Sequence, residues 1–354
     1  MRKVSLDNVK AGDKLAVTIF SLNNSVLLTK GSELTPEIID YLKQYGITEV
    51  CIDDEISKNI AVPGFVRAEI LQETKTQVKK IMTHPSIKTS VDGEAVLKIV
   101  EKLIEEILQS DQIIINLSDI RSIDDYMFSH SVNVAIFSLV TGITLGFEGE
   151  ELRNLGVGAI LHDVGKVRSS DSILKKPTAL TIGEYEEVRK HTVFGYEILG
   201  NSKNIAADVR EISLYHHERM DGSGYPYKLK GNEIPPMARI VAIADVFDAL
   251  TTDRIYRKKM HVSHVVDYMF SLSNKHFDKR FLEAFLRHIA NYPVGTGVVL
   301  NTGEKGLVSK YNPYWPNRPV IRVLIDSSGR KLAHCRELDL SLKPDYFIED
   351  IWDI

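Results

Sequence analysis

Ionisable side chains set behind or inside long apolar stretches constrain this chain more than any other feature. His162-Asp163 follow the run GVGAIL, His216-His217 stand side by side after ISLY, and Asp245 sits inside ARIVAIADVFDAL. Burying a carboxylate or an imidazole without compensation is costly, so such groups are normally paired, hydrogen-bonded or bound to a metal. A metal centre answers all of them at once. Nitrogen and carboxylate ligands suit Fe, Mn or Zn, and a two-metal site would hold its ions about 3.5–4 Å apart with a carboxylate between them. Asp163, flanked by histidines from several helices, is the natural bridge. Of the 11 histidines, His130, His162, His191, His216 and His217 carry the reading and His261 is weaker.

Local geometry agrees with that chemistry. His162-Asp163 fall just before Gly165 and His216-His217 just before Asp221-Gly222-Ser223-Gly224, so both pairs are expected near helix C-termini, where the negative end of the dipole favours a cation. Adjacent helical residues diverge by about 100°. His216 and His217 can therefore grip one ion only if the helix loosens there, as the glycines that follow allow.

The periodicity of the chain divides it into four segments. Residues 1–60 are expected to form a small ββαβ module, with a hairpin of Leu15–Ile19 and Val26–Thr29 around Asn23-Asn24, a helix opened by Thr35-Pro36 and stopped at Gly46, and a strand at Val50–Ile52. Residues 61–120 read as a helical connector. From 121 to 290, apolar residues three and four apart predict a helical bundle, with helices over 128–145, 149–164, 184–200, 204–217, 237–253, 260–272 and 279–290. Short β-branched runs separated by Asn, Gly and Pro turns predict a small antiparallel β module at 291–354. The fold class is mainly α, a helical bundle between a small N-terminal α/β module and a small C-terminal antiparallel β module.

Composition excludes several classes. With 44 Lys and Arg against 48 Asp and Glu, the net charge of −4 leaves no whole-chain footprint for DNA. Cys51 and Cys335 lack metal spacing and read as reduced residues of a cytoplasmic protein. The start MRKVSLDNVKAGDK has no signal-peptide core. Ser131–Phe147 is uncharged but carries Asn133, Ser138, Thr141 and Thr144, so a buried helix is expected and not a membrane span.

Three motifs, LHDVGK, HHERMDGSGYP and IADVFDALTTDRIYRKKM, together resemble the HD-GYP family of the HD phosphohydrolases, in the family's order and spacing over roughly 120–290. The resemblance implies an HD-type helical bundle whose two or three metals, usually iron or manganese, hydrolyse cyclic di-GMP to pGpG or on to GMP. It assigns one metal to His130, His162, Asp163 and Asp245, and the second to Asp163, His191, His216 and His217. The GYP signature falls on Gly224, Tyr225 and Pro226. Relatives with a third metal carry Glu four residues before the first histidine. Tyr126 stands there in this chain, which implies two metals.

The implied reaction is hydrolysis of a 3′–5′ phosphodiester, with Asp163 bridging and orienting the metals. Lys166, four residues after His162 and on nearly the same helical face, is placed to meet a phosphate oxygen or the leaving group; without the resemblance it reads more readily as a surface lysine past a helix end. Arg254 and Arg257 resemble the family's phosphate-binding pair, with a solvated basic run as the rival for Arg257. Tyr225 can stack on a guanine or pack its own turn. Two further readings stay open: an HD phosphohydrolase acting on another nucleotide, and a non-catalytic receptor of cyclic di-GMP or of a GGDEF-type cyclase, with a homodimer as a further partner form. An intact ligand set counts against the receptor.

Overall fold

A computed structural model of the chain describes residues 1–20, 26–45, 47, 49–60, 66–110, 115, 126–174, 176, 178–252, 259–312 and 315–352, with the backbone alone at Phe20, Ala68, Tyr126 and Met127. It forms two compact units, one of Met1–Gly64, Ile114–Asp125 and Ile289–Ile354, the other of Phe65–Ile113 and Tyr126–His288.

The first unit holds both terminal modules. Strands β1 (Arg2–Ser5) and β2 (Lys14–Leu15) flank β5 (Glu49–Asp53) in a three-stranded antiparallel sheet, while β3 (Ile19–Phe20) pairs with β4 (Val26–Leu28). Helix α1 (Pro36–Gln44) begins as expected, with Thr35 Oγ1 accepting from Ile38 N and Pro36 in the first turn. Two expectations need correction. The run from Leu15 to Ile19 is split between two sheets and is not one hairpin strand, and β1 completes the sheet although its sequence, RKVS, offers no alternation to read. Asn23, Asn24 and Gly46 lie outside the described residues. Leu15, Leu34, Leu42, Val50 and Ile52 share a small core.

The C-terminal strands β6 (Gly297–Leu300), β7 (Lys305–Lys310), β8 (Val320–Ile325), β9 (Lys331–Asp339) and β10 (Ile348–Ile351) form one antiparallel sheet in the order β10-β6-β7-β8-β9. Ile60 packs into its core beside Val298, Leu307 and Ile321. Arg322 Nη1 donates to the carbonyls of Ile56 (3.3 Å) and Lys58 (2.6 Å), and Lys3 N to that of Gly295 (3.2 Å). The two ends of the chain thus make a single body.

The second unit is the helical bundle: α2 (Ala68–Met82), α3 (Gly93–Leu108), α4 (Tyr126–Leu145), α5 (Gly149–Leu161), the single turn α6 (Asp171–Leu174), α7 (Ile182–Arg189), α8 (His191–Gly200), α9 (Ala207–Tyr215), α10 (Pro236–Thr251), α11 (Val262–Ser271) and α12 (Lys279–Leu286). The stretch 184–200 breaks at Lys190 into α7 and α8. Helix α4 is long and apolar enough to cross a membrane, yet 78% of its window Phe128–Leu145 is buried inside the protein. It packs against α5, α10 and α12 and serves as the bundle's axis.

Phe137 of α4, Phe247 of α10 and Phe285 of α12 are fully buried in edge-to-face contact, with ring centroids 5.5, 6.0 and 4.9 Å apart. Such contacts add directional preference to a large buried area, and here they fix α10 against α4. Phe137→Ala should therefore cost about 3–5 kcal/mol of unfolding free energy, read as an earlier urea midpoint at unchanged slope. A loss under about 1 kcal/mol would show that the neighbouring helices refill the space.

Candidate metal centre

Each of the clustered histidines and carboxylates stands at a helix boundary or on a helix that faces one. Helix α5 stops at Leu161, leaving His162 at its C-cap and Asp163 at the head of a 3₁₀ turn over Val164–Arg168. Helix α9 stops at Tyr215, so His216 and His217 lie in the turn past it, where the helix has already loosened. His191 is the first residue of α8, His130 lies in the first turns of α4, and Asp245 is mid-way along α10.

These elements meet because glycines let the backbones touch. A Cβ on Gly165 would lie 1.9 Å from the carbonyl oxygen of His191, and one on Gly195 would lie 2.1 Å from Ser213 Oγ. Real Cβ atoms do not approach this closely. Ser213 Oγ in turn donates to the carbonyl of His162 (2.9 Å), tying α9 to the end of α5.

The result is two groups of ligand atoms, Asp163, His191, His216 and His217 in one and His130, His162 and Asp245 in the other, each group within 4.8 Å of itself. Asp163 faces both. Its Oδ1 lies 3.3 Å from His191 Nε2 and 3.8 Å from His216 Nε2, while its Oδ2 lies 3.4 Å from His162 Nε2 and 3.9 Å from His130 Nε2. Asp245 adds Oδ1 at 3.2 Å from His130 Nε2 and Oδ2 at 3.8 Å from His217 Nδ1.

The hydrogen bonds behind the rings decide what the front can do. His162 Nδ1 donates to the carbonyl of Ala159 (2.7 Å), His191 Nδ1 to that of Val188 (2.6 Å), and His216 Nδ1 to that of Ser213 (2.9 Å). A carbonyl only accepts, so the proton of each neutral ring is on Nδ1 and a lone pair remains on Nε2. His191 Nε2 and His216 Nε2 then face each other at 3.4 Å, acceptor against acceptor. His162 Nε2 and Asp163 Oδ1 are buried without a hydrogen bond. Opposed lone pairs and orphaned buried acceptors call for a cation, and the donor set fits a divalent transition metal.

Protonation follows from the same packing. Burial would raise the Asp163 carboxyl, but the Lys166 ammonium beside it holds it well below the carboxylate range. Asp245 is likewise held down by His130 against its burial. Burial lowers His216 to about 4 and takes His217 well below the imidazole range, leaving both rings neutral and ready to ligate. His130 differs. Its burial is outweighed by Asp245 and Asp248, which raise it to about 9, so a cation bound there displaces a proton.

Asp248 was not singled out by the sequence reading. Buried three residues beyond Asp245, it accepts from His130 Nδ1 at 2.7 Å and from Asn133 Nδ2 at 2.8 Å. The signal was present, since a second carboxylate in ADVFDAL on an apolar helix needs a partner as much as the first. Lys166 requires a correction. It does not continue the α-helical face of His162, because that helix has ended. The 3₁₀ turn, with three residues per turn, aligns it with Asp163, to whose Oδ2 its ammonium is paired.

The segment after His217 forms a wall. Glu218 accepts from Tyr227 N (2.7 Å) and Leu229 N (3.1 Å), Tyr225 N donates to the carbonyl of His217 (3.3 Å), and a Cβ on Gly224 would sit 2.5 Å from Glu218 Cα. The half-buried Tyr225 ring lies 4.7 Å from that of His217, and Pro226 follows through a cis bond. Arg254 and Arg257 lie outside the described residues, as does the Tyr126 side chain.

Residues 112–281 match the HD domain family, and residues 297–354 match a KOW domain associated with HD domains. The chain is 32% identical over 263 residues to cyclic di-GMP phosphodiesterase PA4108 of Pseudomonas aeruginosa, covering 74% of this chain and 63% of that protein. It is 44% identical over 144 residues to cyclic di-GMP phosphodiesterase response regulator RpfG of Xanthomonas campestris pv. campestris, covering 40% of this chain and 38% of that one. To 3'3'-cGAMP-specific phosphodiesterase 2 of Vibrio cholerae it is 38% identical over 161 residues, covering 45% and 31%. The chain thus spans 31–63% of the length of these relatives.

Asp248→Asn keeps the shape of this support and removes its charge. Partners of this kind to metal-binding histidines are worth about 10–100-fold in metal affinity, and a fall in that range is expected in chelator competition. Unchanged affinity would mean that packing alone orients His130.

Proposed function

We propose that the chain, whose residues 112–281 match the HD domain family, is an HD-GYP-type metal-dependent phosphodiesterase that opens the 3′–5′ phosphodiester of cyclic di-GMP to pGpG, with GMP as the product of a second cut. The observation that carries the proposal is the placement of Asp163, whose two oxygens each face a separate set of histidine nitrogens. In this reading His130, His162, Asp163 and Asp245 hold one ion, and Asp163, His191, His216 and His217 the other. Iron or manganese suits that nitrogen and carboxylate set.

Divalent ions bound there supply Lewis-acid stabilisation of the phosphoryl oxygens and a water-derived nucleophile at neutral pH. The protein's own groups do the rest. The backbone carbonyls behind His162, His191 and His216 keep their lone pairs aimed inward, so no side chain reorganises when charge develops. Lys166, beside Asp163 and 27% exposed along its side chain, can swing its ammonium onto a phosphate oxygen or the leaving oxygen. Arg254 and Arg257 are assigned to the second phosphate, and Tyr225, Gly224 and Pro226 to the substrate wall. We assign 121–290 as the catalytic segment of the bundle, with α2 and α3 of 61–120, expected as a connector, packed into the same unit. The module at 1–60 is assigned a sensor or regulatory role, and a cytoplasmic location goes with this substrate.

A second reading, another cyclic dinucleotide as substrate, is favoured by the likeness to a 3'3'-cGAMP-specific enzyme. Product analysis separates the two. Anaerobically purified protein should contain two transition-metal ions per chain and convert cyclic di-GMP to pGpG, and Asp163→Ala should lose both ions together. Three ions in one cluster would overturn the two-metal assignment drawn from Tyr126, and protein that takes up no metal would overturn the enzyme reading.

Lys166→Ala tests the ammonium separately. An ammonium cannot ligate a metal, so both ions should stay, while turnover falls by about 10²–10³ through loss of a positioned charge. A fall confined to the Michaelis constant would assign Lys166 to ground-state phosphate binding. Full activity in both parameters would show that its pairing with Asp163 serves the fold alone.

A further inference from the structure

Helix α7 has no buried residue, and its exposed face carries Ile182 at 86% and Tyr185 at 50%. It is nevertheless firmly made. Thr181 and Glu184 form a capping box at its start, and Lys176 Nζ pairs with Glu184 at 2.7 Å. A helix that buries no face is stabilised by such local devices, and its last residue, Arg189, comes directly before Lys190 and His191 of the metal centre.

Arg189 is placed with unusual care for a side chain at the edge of a surface helix. Its guanidinium lies over the Tyr225 ring at 4.5 Å and within 5.9 Å of the Tyr185 ring, and its side chain is 25% exposed. Tyr225 in turn lies 4.7 Å from His217, with the two rings 32° apart. His217, Tyr225 and Arg189 are therefore a ladder of successive contacts that starts at a ligand of the metal groups. Its outer plane carries N–H donors along its edge, and Nη1 donates to Glu186 Oε1 at 2.6 Å. Glu186 is 57% exposed, and an exposed pair of this kind contributes little. It does not account for a guanidinium held 4.5 Å from the centre of the Tyr225 ring.

We propose that Arg189 is a specificity-determining residue that reads a guanine base of the substrate, its edge donating to the O6 and N7 acceptors while the Tyr225 ring holds its plane. The proposal rests on the cyclic dinucleotide phosphodiesterase reading above and adds the recognition of the base. In a nucleotide the ribose separates the base from its phosphodiester, so a phosphate at the metal groups carries its base outward along this wall. Arginine donors match the acceptor pair of guanine, whereas adenine presents a donor at N6 beside N7. Bases of flexible nucleotides are read in this manner, stacked on aromatic rings or guanidinium planes and hydrogen-bonded along an edge.

The test compares the metal-loaded full chain with Arg189→Ala and Arg189→Lys, measuring kcat/KM on cyclic di-GMP and on cyclic di-AMP. The wild type should prefer cyclic di-GMP. Arg189→Ala should reduce that preference by about tenfold to a hundredfold, through the Michaelis constant for cyclic di-GMP, and Arg189→Lys, which keeps the charge and loses the planar fork, should not restore it. Equal losses on both substrates would assign Arg189 to holding Tyr225 and overturn the proposal. Restoration by lysine would reduce its role to charge and overturn it too, as would a wild type that cleaves both dinucleotides alike. A wild type that cleaves no cyclic dinucleotide would overturn the phosphodiesterase reading and this inference together.

Discussion

A buried carboxylate that cannot stand alone organises the bundle. Asp163 is 6% exposed and surrounded by histidine nitrogens and the Lys166 ammonium. Ionised in a low-dielectric interior, it demands positive charge on each side, and the protein supplies a lysine at Oδ2 while turning imidazole lone pairs towards both oxygens. The same lone pairs repel one another wherever no cation lies between them, as at His191 and His216. Carboxylate and imidazoles are each unfavourable as placed and become mutually stabilising around a divalent ion, so metal affinity and fold are linked.

Bringing so many ligand nitrogens together requires backbone contact of a kind ordinary side chains prevent. Gly165 meets the His191 carbonyl, Gly195 meets Ser213, and Gly224 meets the backbone of Glu218 and Arg219. These glycines need no left-handed backbone. They are required because a methyl group would hold the end of α5, the start of α8 and the GYP wall too far apart. The small residues inside LHDVGK and DGSGYP thus have a steric function separate from the ligating one, and both must be met by the same short segments.

That double use of short segments explains why the centre was so legible in the sequence. Residue types that are expensive to bury, at helix ends and beside glycines, mark His162-Asp163 and His216-His217 directly, and the expected loosening after Tyr215 is found there. Periodicity likewise marks the longer helices of the bundle, which present an apolar stripe, whereas α7 buries no residue and is held by its cap. What escaped depends on contacts distant in sequence or on local geometry. Asp248 gains its meaning from His130, 118 residues away. Lys166 lies on a 3₁₀ turn where its spacing from His162 predicts an α-helical face, since a switch from α to 3₁₀ leaves no mark in a five-residue stretch. Strand β1 is defined by its partner β5 and not by its own pattern.

Recognition of the substrate divides along the same line between buried and exposed. In the proposed reaction the metal centre would act on a phosphodiester, and every cyclic dinucleotide offers one, so the buried ligands would select a reaction without selecting a base. Discrimination must come from groups that reach the base edges, which differ in where they donate and accept. His217, Tyr225 and Arg189 form one row of contacts that joins a ligand of the metal groups to the end of a helix that buries no residue. The inner groups answer to the cost of burying charge, a strong and legible force. The outer ones answer to the ligand, and neither helical periodicity nor burial alone would have picked out an arginine at the end of a solvent-facing helix.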